Sequence, residues 1–73
     1  MMTTISLELK DLSAVEIITR HIMHDTQCEM SVVVKNMTMI IKVGDYQRMM
    51  WILSEIGAWS LVRWANMCHE GEG

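Results

Sequence analysis

The three histidines and two cysteines of this 73-residue chain are of types that ligate metals or activate nucleophiles. His21, His24 and Cys28 lie close together in sequence, and Cys68 and His69 are adjacent near the end. A zinc site made of His24, Cys28, Cys68 and His69 has suitable donor atoms. Its intervals match no standard finger, and Cys68-His69 fall where a helix is expected to fray, so no metal is expected. A Cys–His nucleophile requires the base within hydrogen-bond reach and a third group to orient it. Neighbouring residues on a helix do not face each other, so Cys68-His69 is not read as a catalytic pair. Gly44, Gly57, Gly71 and Gly73 form no phosphate-cradling loop, and the chain has no hydrolase elbow or paired-carboxylate motif. Met30, Met37, Met39, Met49 and Met50 recur at strand and helix core spacings, which suits adaptable packing better than copper ligation. The expectation is a protein that is not an enzyme, with no catalytic residues, cofactor or metal.

Composition narrows the remaining classes. Apolar residues make up 51% of the chain and charged residues 21%, which is too apolar for intrinsic disorder. Two cysteines do not make a disulfide scaffold. The net charge is −3, and the six Lys and Arg, among them Lys10, Lys35, Lys42, Arg48 and Arg63, are scattered. A phosphate-binding surface needs a basic stripe, so no nucleic-acid partner is expected. Dispersed cations of this kind read as solvated strand and helix termini. The most apolar run, Met49 to Val62, is bracketed by Arg48 and Arg63, holds Glu55 in its middle and is too short to span a membrane. It also lacks the basic polar face of a membrane-surface helix. The first residues, Met1-Met2-Thr3-Thr4-Ile5, do not resemble a secretory leader. Together these features predict a cytoplasmic protein with reduced thiols.

The elements follow from periodicity. Ile5-Ser6-Leu7-Glu8-Leu9-Lys10 alternates apolar and polar, which predicts a strand with Ile5, Leu7 and Leu9 facing inward. Ser13-Ala14-Val15-Glu16 fits a capping box for a helix running to about His24. Its buried stripe is Ala14, Val15, Ile18 and Ile22, with a Glu16–Arg20 pair on the wet side. Asp25-Thr26-Gln27 is a polar break. Residues 29–34 and 37–43 have strand composition, joined at Lys35-Asn36, where Asn tolerates positive φ. Met30, Val32 and Val34 share one face of the first of these strands, and Met37, Met39 and Ile41 share one face of the second. Asp45 is a good N-cap for a helix from Tyr46 to about Cys68, which Gly57 bends or breaks.

These elements predict an α+β fold in the order β-α-β-β-α: a three-stranded sheet covered by two helices, the C-terminal one long. A single domain covers residues 1–69, and residues 70–73 form a flexible polar tail. The last helix would be roughly 35 Å long. One face, Tyr46, Met49, Met50, Leu53, Ile56, Gly57, Leu61, Trp64 and Cys68, would cover the sheet. A second apolar stripe remains: Trp51, Ile52, Ala58, Trp59, Val62 and Ala65. Either it packs on the first helix or it is a protein interface, and contiguous exposed apolar surface rich in Trp favours the interface.

The order of Ile5-Ser6-Leu7-Glu8-Leu9-Lys10, then Glu29-Met30-Ser31-Val32-Val33-Val34, then a tryptophan-bearing helix from Asp45 resembles the DNA-damage-inducible protein I family. These are small bacterial and phage proteins that bind RecA filaments. The resemblance spans most of the chain and implies a small regulatory protein, of a kind that also suits a temperate phage. The family's last helix is strongly acidic, whereas this one holds only Asp45 and Glu55 beside Arg48 and Arg63. The leading expectation is therefore a non-enzymatic regulatory or adaptor protein that binds another protein and forms a homodimer through the C-terminal helix. A RecA-filament or nucleic-acid-associated modulator ranks second and a membrane-surface module third.

Overall fold

The computed structural model describes residues 2–24 and 30–69. Strand β1 (Thr3–Leu9) leads to helix α1 (Leu12–Met23), then to strands β2 (Met30–Lys35) and β3 (Thr38–Val43). Helix α2 (Tyr46–Glu55), a 3₁₀ turn (Ala58–Leu61) and strand β4 (Val62–His69) complete the chain. The four strands form one sheet in the order β2-β3-β1-β4, with every neighbouring pair antiparallel. β1 and β2 are therefore parallel with β3 between them, and β3 and β4 are parallel with β1 between them. Two interleaved β-α-β units of this kind make the ferredoxin-like arrangement, which hosts many unrelated functions.

The α+β class expected from the sequence stands, but the three-stranded sheet and the long C-terminal helix do not. Residues 62–69 form a fourth strand, and the final helix is ten residues long. The break is at Gly57. Ile52 and Ser54 carbonyls accept the last helical N–H bonds from Ile56 and Gly57, and Gly57 then turns to φ +69°. That is the usual way a helix stops at a glycine. A Cβ on Gly57 would meet nothing within 4 Å, so replacing it incurs a backbone penalty alone. Gly57→Ala is expected to lower stability by about 1–2 kcal/mol, read from urea unfolding; an unchanged midpoint would contradict the left-handed turn.

The first helix is capped two residues earlier than its sequence suggests. Asp11 is the N-cap: its Oδ1 accepts from the Ala14 N–H at 2.9 Å, and the Ser13 hydroxyl donates to the same oxygen at 2.6 Å. An ionised oxygen accepts a helix N–H more strongly than a hydroxyl does, so Asp11 displaces Ser13 from the capping role. The same bonds, the Ser13 one foremost, hold the Asp11 carboxyl below its ordinary pKa. Glu16 is thereby released from the capping box and pairs with Arg20 at 3.0 Å. The hairpin turn falls one residue later than the sequence places it: Lys35 pairs with Thr38, so Asn36 and Met37 make the turn, with Asn36 at φ 58°, and Met37 is not in the return strand. The Asp25-Thr26-Gln27 break, Cys28 and the 70–73 tail lie outside the described residues.

The core lies on one side of the sheet. β1 contributes Ile5, Leu7 and Leu9, and β3 contributes Met39, Ile41 and Val43. Against them pack Ala14, Ile18 and Ile22 of α1, Met49, Ile52 and Leu53 of α2, and Ala58. Period two on the strands and the i, i+3, i+4 spacing on the helices select these positions.

Candidate interaction surface

The six residues expected to form a helical interface are divided by the fold. Ile52 and Ala58 are core residues, with exposures of 9% and 0%. Trp51 is exposed on the outer side of α2. Trp59 is about half-withdrawn, because its Nε1–H donates to Ser54 Oγ at 3.2 Å and folds the indole back toward the end of α2. Val62 and Ala65 belong to β4, where Val62 is half-buried and Ala65 exposed. A continuous helix displaying all six does not exist, because Gly57 separates Trp51 and Ile52 from the rest.

Exposed apolar side chains lie on the helices, at Leu12, Met23 and Trp51, and on the sheet, at Val33, Val34, Ile40, Trp64 and Met67. Directly opposed residues share a face. The uncovered face therefore carries Thr4, Ser6 and Glu8 of β1, Thr38, Ile40 and Lys42 of β3, Ser31, Val33 and Lys35 of β2, and Trp64, Asn66 and Cys68 of β4. Val33 and Ile40 are cross-strand partners, and Trp64 lies opposite Glu8. Sheets that read RNA stack bases on aromatic side chains of the sheet surface. Here the central strands β1 and β3 offer Thr, Ser, Glu, Ile and Lys on that face.

β2 and β4 are the two edges of the sheet, and β4 is the longer of them. It is an edge strand of eight residues, about 26 Å long. From Arg63 to His69 every residue is exposed, so the helical layer leaves the β4 side of the covered face open. Natural edges are usually blunted by Lys, Pro, shortness or bulges. β4 has only a bulge at its start, where the register with β1 shifts between Glu8 and Leu9. Arg63 reaches Glu8 there at 3.8 Å. Both side chains are well exposed, so the pair adds little to stability.

The direction of the β4 backbone groups follows from β1. The Leu9 N–H donates to the Met37 carbonyl on the β3 side at 2.8 Å, and the next residue, Lys10, donates to Leu61 on the β4 side at 3.0 Å. Alternation along β1 sends the backbone groups of Glu8, Ser6 and Thr4 toward β4, where they meet Trp64, Asn66 and Cys68. The N–H and C=O groups of Ala65 and Met67 therefore point away from the sheet, along its open edge.

Among the described residues, those first considered for chemistry are dispersed, with His24 standing as the C-cap of α1. Cys68 and His69 are neighbours on a strand, so their side chains take opposite faces. Cys68 lies across from Thr4 on the uncovered face, whereas His69 Nδ1 lies 2.9 Å from Thr3 Oγ1 and the His69 ring meets Tyr46 edge-on at 4.7 Å. This contact ties the end of β4 to β1 and to the start of α2. Sequence spacing could not reveal it, since the hydrogen-bonded pair is 66 residues apart. His21 Nδ1–H donates to the Ile17 carbonyl one turn back. Among the described residues no group of three or more His, Cys, Asp or Glu side chains gathers where it could hold a metal ion, and Cys28 lies outside them. Among the same residues no helix is long and apolar enough to cross a membrane.

Comparison with protein-family models, curated proteins and solved structures finds no match to this chain.

Proposed function

We propose that this protein is a non-enzymatic regulatory or adaptor module that works by binding another polypeptide, and that β4 is where the polypeptide docks. The observation that carries this reading is the open edge: eight residues long, with every residue from Arg63 onward exposed, and presenting outward backbone donors and acceptors at Ala65 and Met67. An extended segment added there gains main-chain hydrogen bonds, and side chains on alternate sides of the strand supply selectivity. Trp64 and Met67, with exposures of 56% and 41%, are residue types enriched in interface cores.

The test uses the intact chain and Ala65→Pro as baits in lysate of the native host. Proline removes one outward N–H and leaves the bonds to β1 in place. A bound protein should be retained at least about tenfold better by the wild type, the ratio expected when a contact worth about 1.4 kcal/mol is lost. Equal retention of every captured protein by both baits would overturn the reading.

A further inference from the structure

We infer that the polypeptide taken up at this edge is β4 of a second copy of the chain; the inference rests on the strand-docking reading above. A two-fold axis normal to the sheet would pass beside Asn66 and run the two strands antiparallel, joining two four-stranded sheets into one continuous sheet. The outward N–H groups of Ala65 and Met67 on each copy then donate to the carbonyls of the facing Met67 and Ala65 of the other.

Three features make the strand complementary to itself. The first is charge. The stretch from Trp64 to Cys68 contains no ionisable residue apart from the terminal thiol, and Arg63 before it is engaged with Glu8. Within Trp64–Cys68 two copies meet without like-charge opposition, and Arg63, opposite His69 of the other copy, lies outside that stretch, although each chain carries a net −3. At physiological salt that background charge is screened beyond about 8 Å. A strongly acidic or basic peptide finds no counter-charge along this stretch.

The second feature is size. In this register large residues oppose small ones: Met67 faces Ala65 on one side of the sheet, and Trp64 faces Cys68 on the other. Such alternation lets side chains interdigitate across a strand pair. The third is at the axis. Asn66 faces its own counterpart, and a carboxamide both donates and accepts, so two of them pair across a two-fold. Isologous contacts of this type are the commonest among homo-oligomers.

The test is sedimentation equilibrium of the wild type, Ala65→Pro and Met67→Lys at about 1 and 100 μM, a range that brackets ordinary micromolar association. Circular dichroism on the same samples establishes that each variant is folded. The wild type should be a dimer at the upper concentration. Each folded variant should dissociate at least about tenfold more readily, because one loses an outward N–H and the other places a charge on the edge. If Ala65→Pro fails to fold, Met67→Lys decides. A wild-type monomer at about 100 μM, or a dimer that the folded variants leave unchanged, would overturn self-pairing. A wild-type monomer whose lysate capture is still lost in Ala65→Pro would overturn self-pairing alone, whereas equal capture by both baits is what overturns strand docking.

Discussion

Leu7→Ala should cost about 3–5 kcal/mol, the range for leucine truncations in well-packed cores. Leu7 is fully buried at the middle of β1, between Met39 on β3 and Ala65 on β4. Truncation removes apolar area from the centre of the core, and the sheet cannot collapse around the gap without disturbing both neighbouring ladders. A chain of this length holds roughly 4–11 kcal/mol in total, at the usual value per residue. The variant is therefore expected to be partly unfolded at 37 °C, with the midpoint lowered by more than about 10 °C. Ile40→Ala, on the opposite face of the adjoining strand, should cost less than about 1 kcal/mol, since Ile40 is already partly in water. Urea unfolding of both variants checks the pair of values. A larger loss for Ile40→Ala than for Leu7→Ala would mean that the faces of β1 and β3 are assigned the wrong way round.

A second large effect separates two adjacent positions in β4. Asn66→Pro should destabilise the monomer by about 2–3 kcal/mol, because it removes an N–H directed at Ser6 and leaves a ladder carbonyl unpaired. Ala65→Pro should cost less than about 1 kcal/mol, because that N–H points out along the edge, where proline is tolerated. The measurement is urea unfolding at about 1 μM, where association of ordinary micromolar strength is weak. In a helix continuing through residues 62–68, both prolines would sit in the interior and each would cost about 3 kcal/mol. Equal destabilisation by the two substitutions would therefore argue for the helix, and a large difference for the strand.

Much of the architecture is legible in local pattern. Ile5, Leu7 and Leu9 alternate along a strand with one buried face, and all three are buried. Ala14, Ile18 and Ile22 mark the inner face of α1, and Met49 and Leu53 that of α2. Asn36 takes the positive φ expected of it in the hairpin. Asp45 caps α2 by accepting from the Arg48 N–H at 3.1 Å. Each of these signals is local: a period of 2 or 3.6, a cap or a turn residue.

Residues 62–69 could not be assigned in this way. Val62, Ala65 and Trp64 suit a helix face or a strand, and a short apolar run without clean alternation does not distinguish the two. What distinguishes them is the demand of β1. Its polar side chains, Thr4, Ser6 and Glu8, mark residues whose backbone groups face away from β3 and need a partner, and only the far end of the chain supplies one. That demand is set by pairings between residues up to 66 apart, such as Thr3 with His69, and so is invisible to any window along the sequence. The same cause redistributed the expected interface. On a single helix, Trp51, Ile52, Ala58, Trp59, Val62 and Ala65 would have formed one stripe. With the chain turned at Gly57, Ile52 and Ala58 entered the core, Trp59 folded back onto Ser54, and Ala65 came to the edge of the sheet. The sequence alone determined that apolar surface exceeds what a small core needs; the tertiary pairing decided where the excess lies, with Trp51 left on α2, Val33 and Ile40 on the sheet face and Trp64 and Met67 on β4, because β1 has two edges and the chain had one strand left to cover the second.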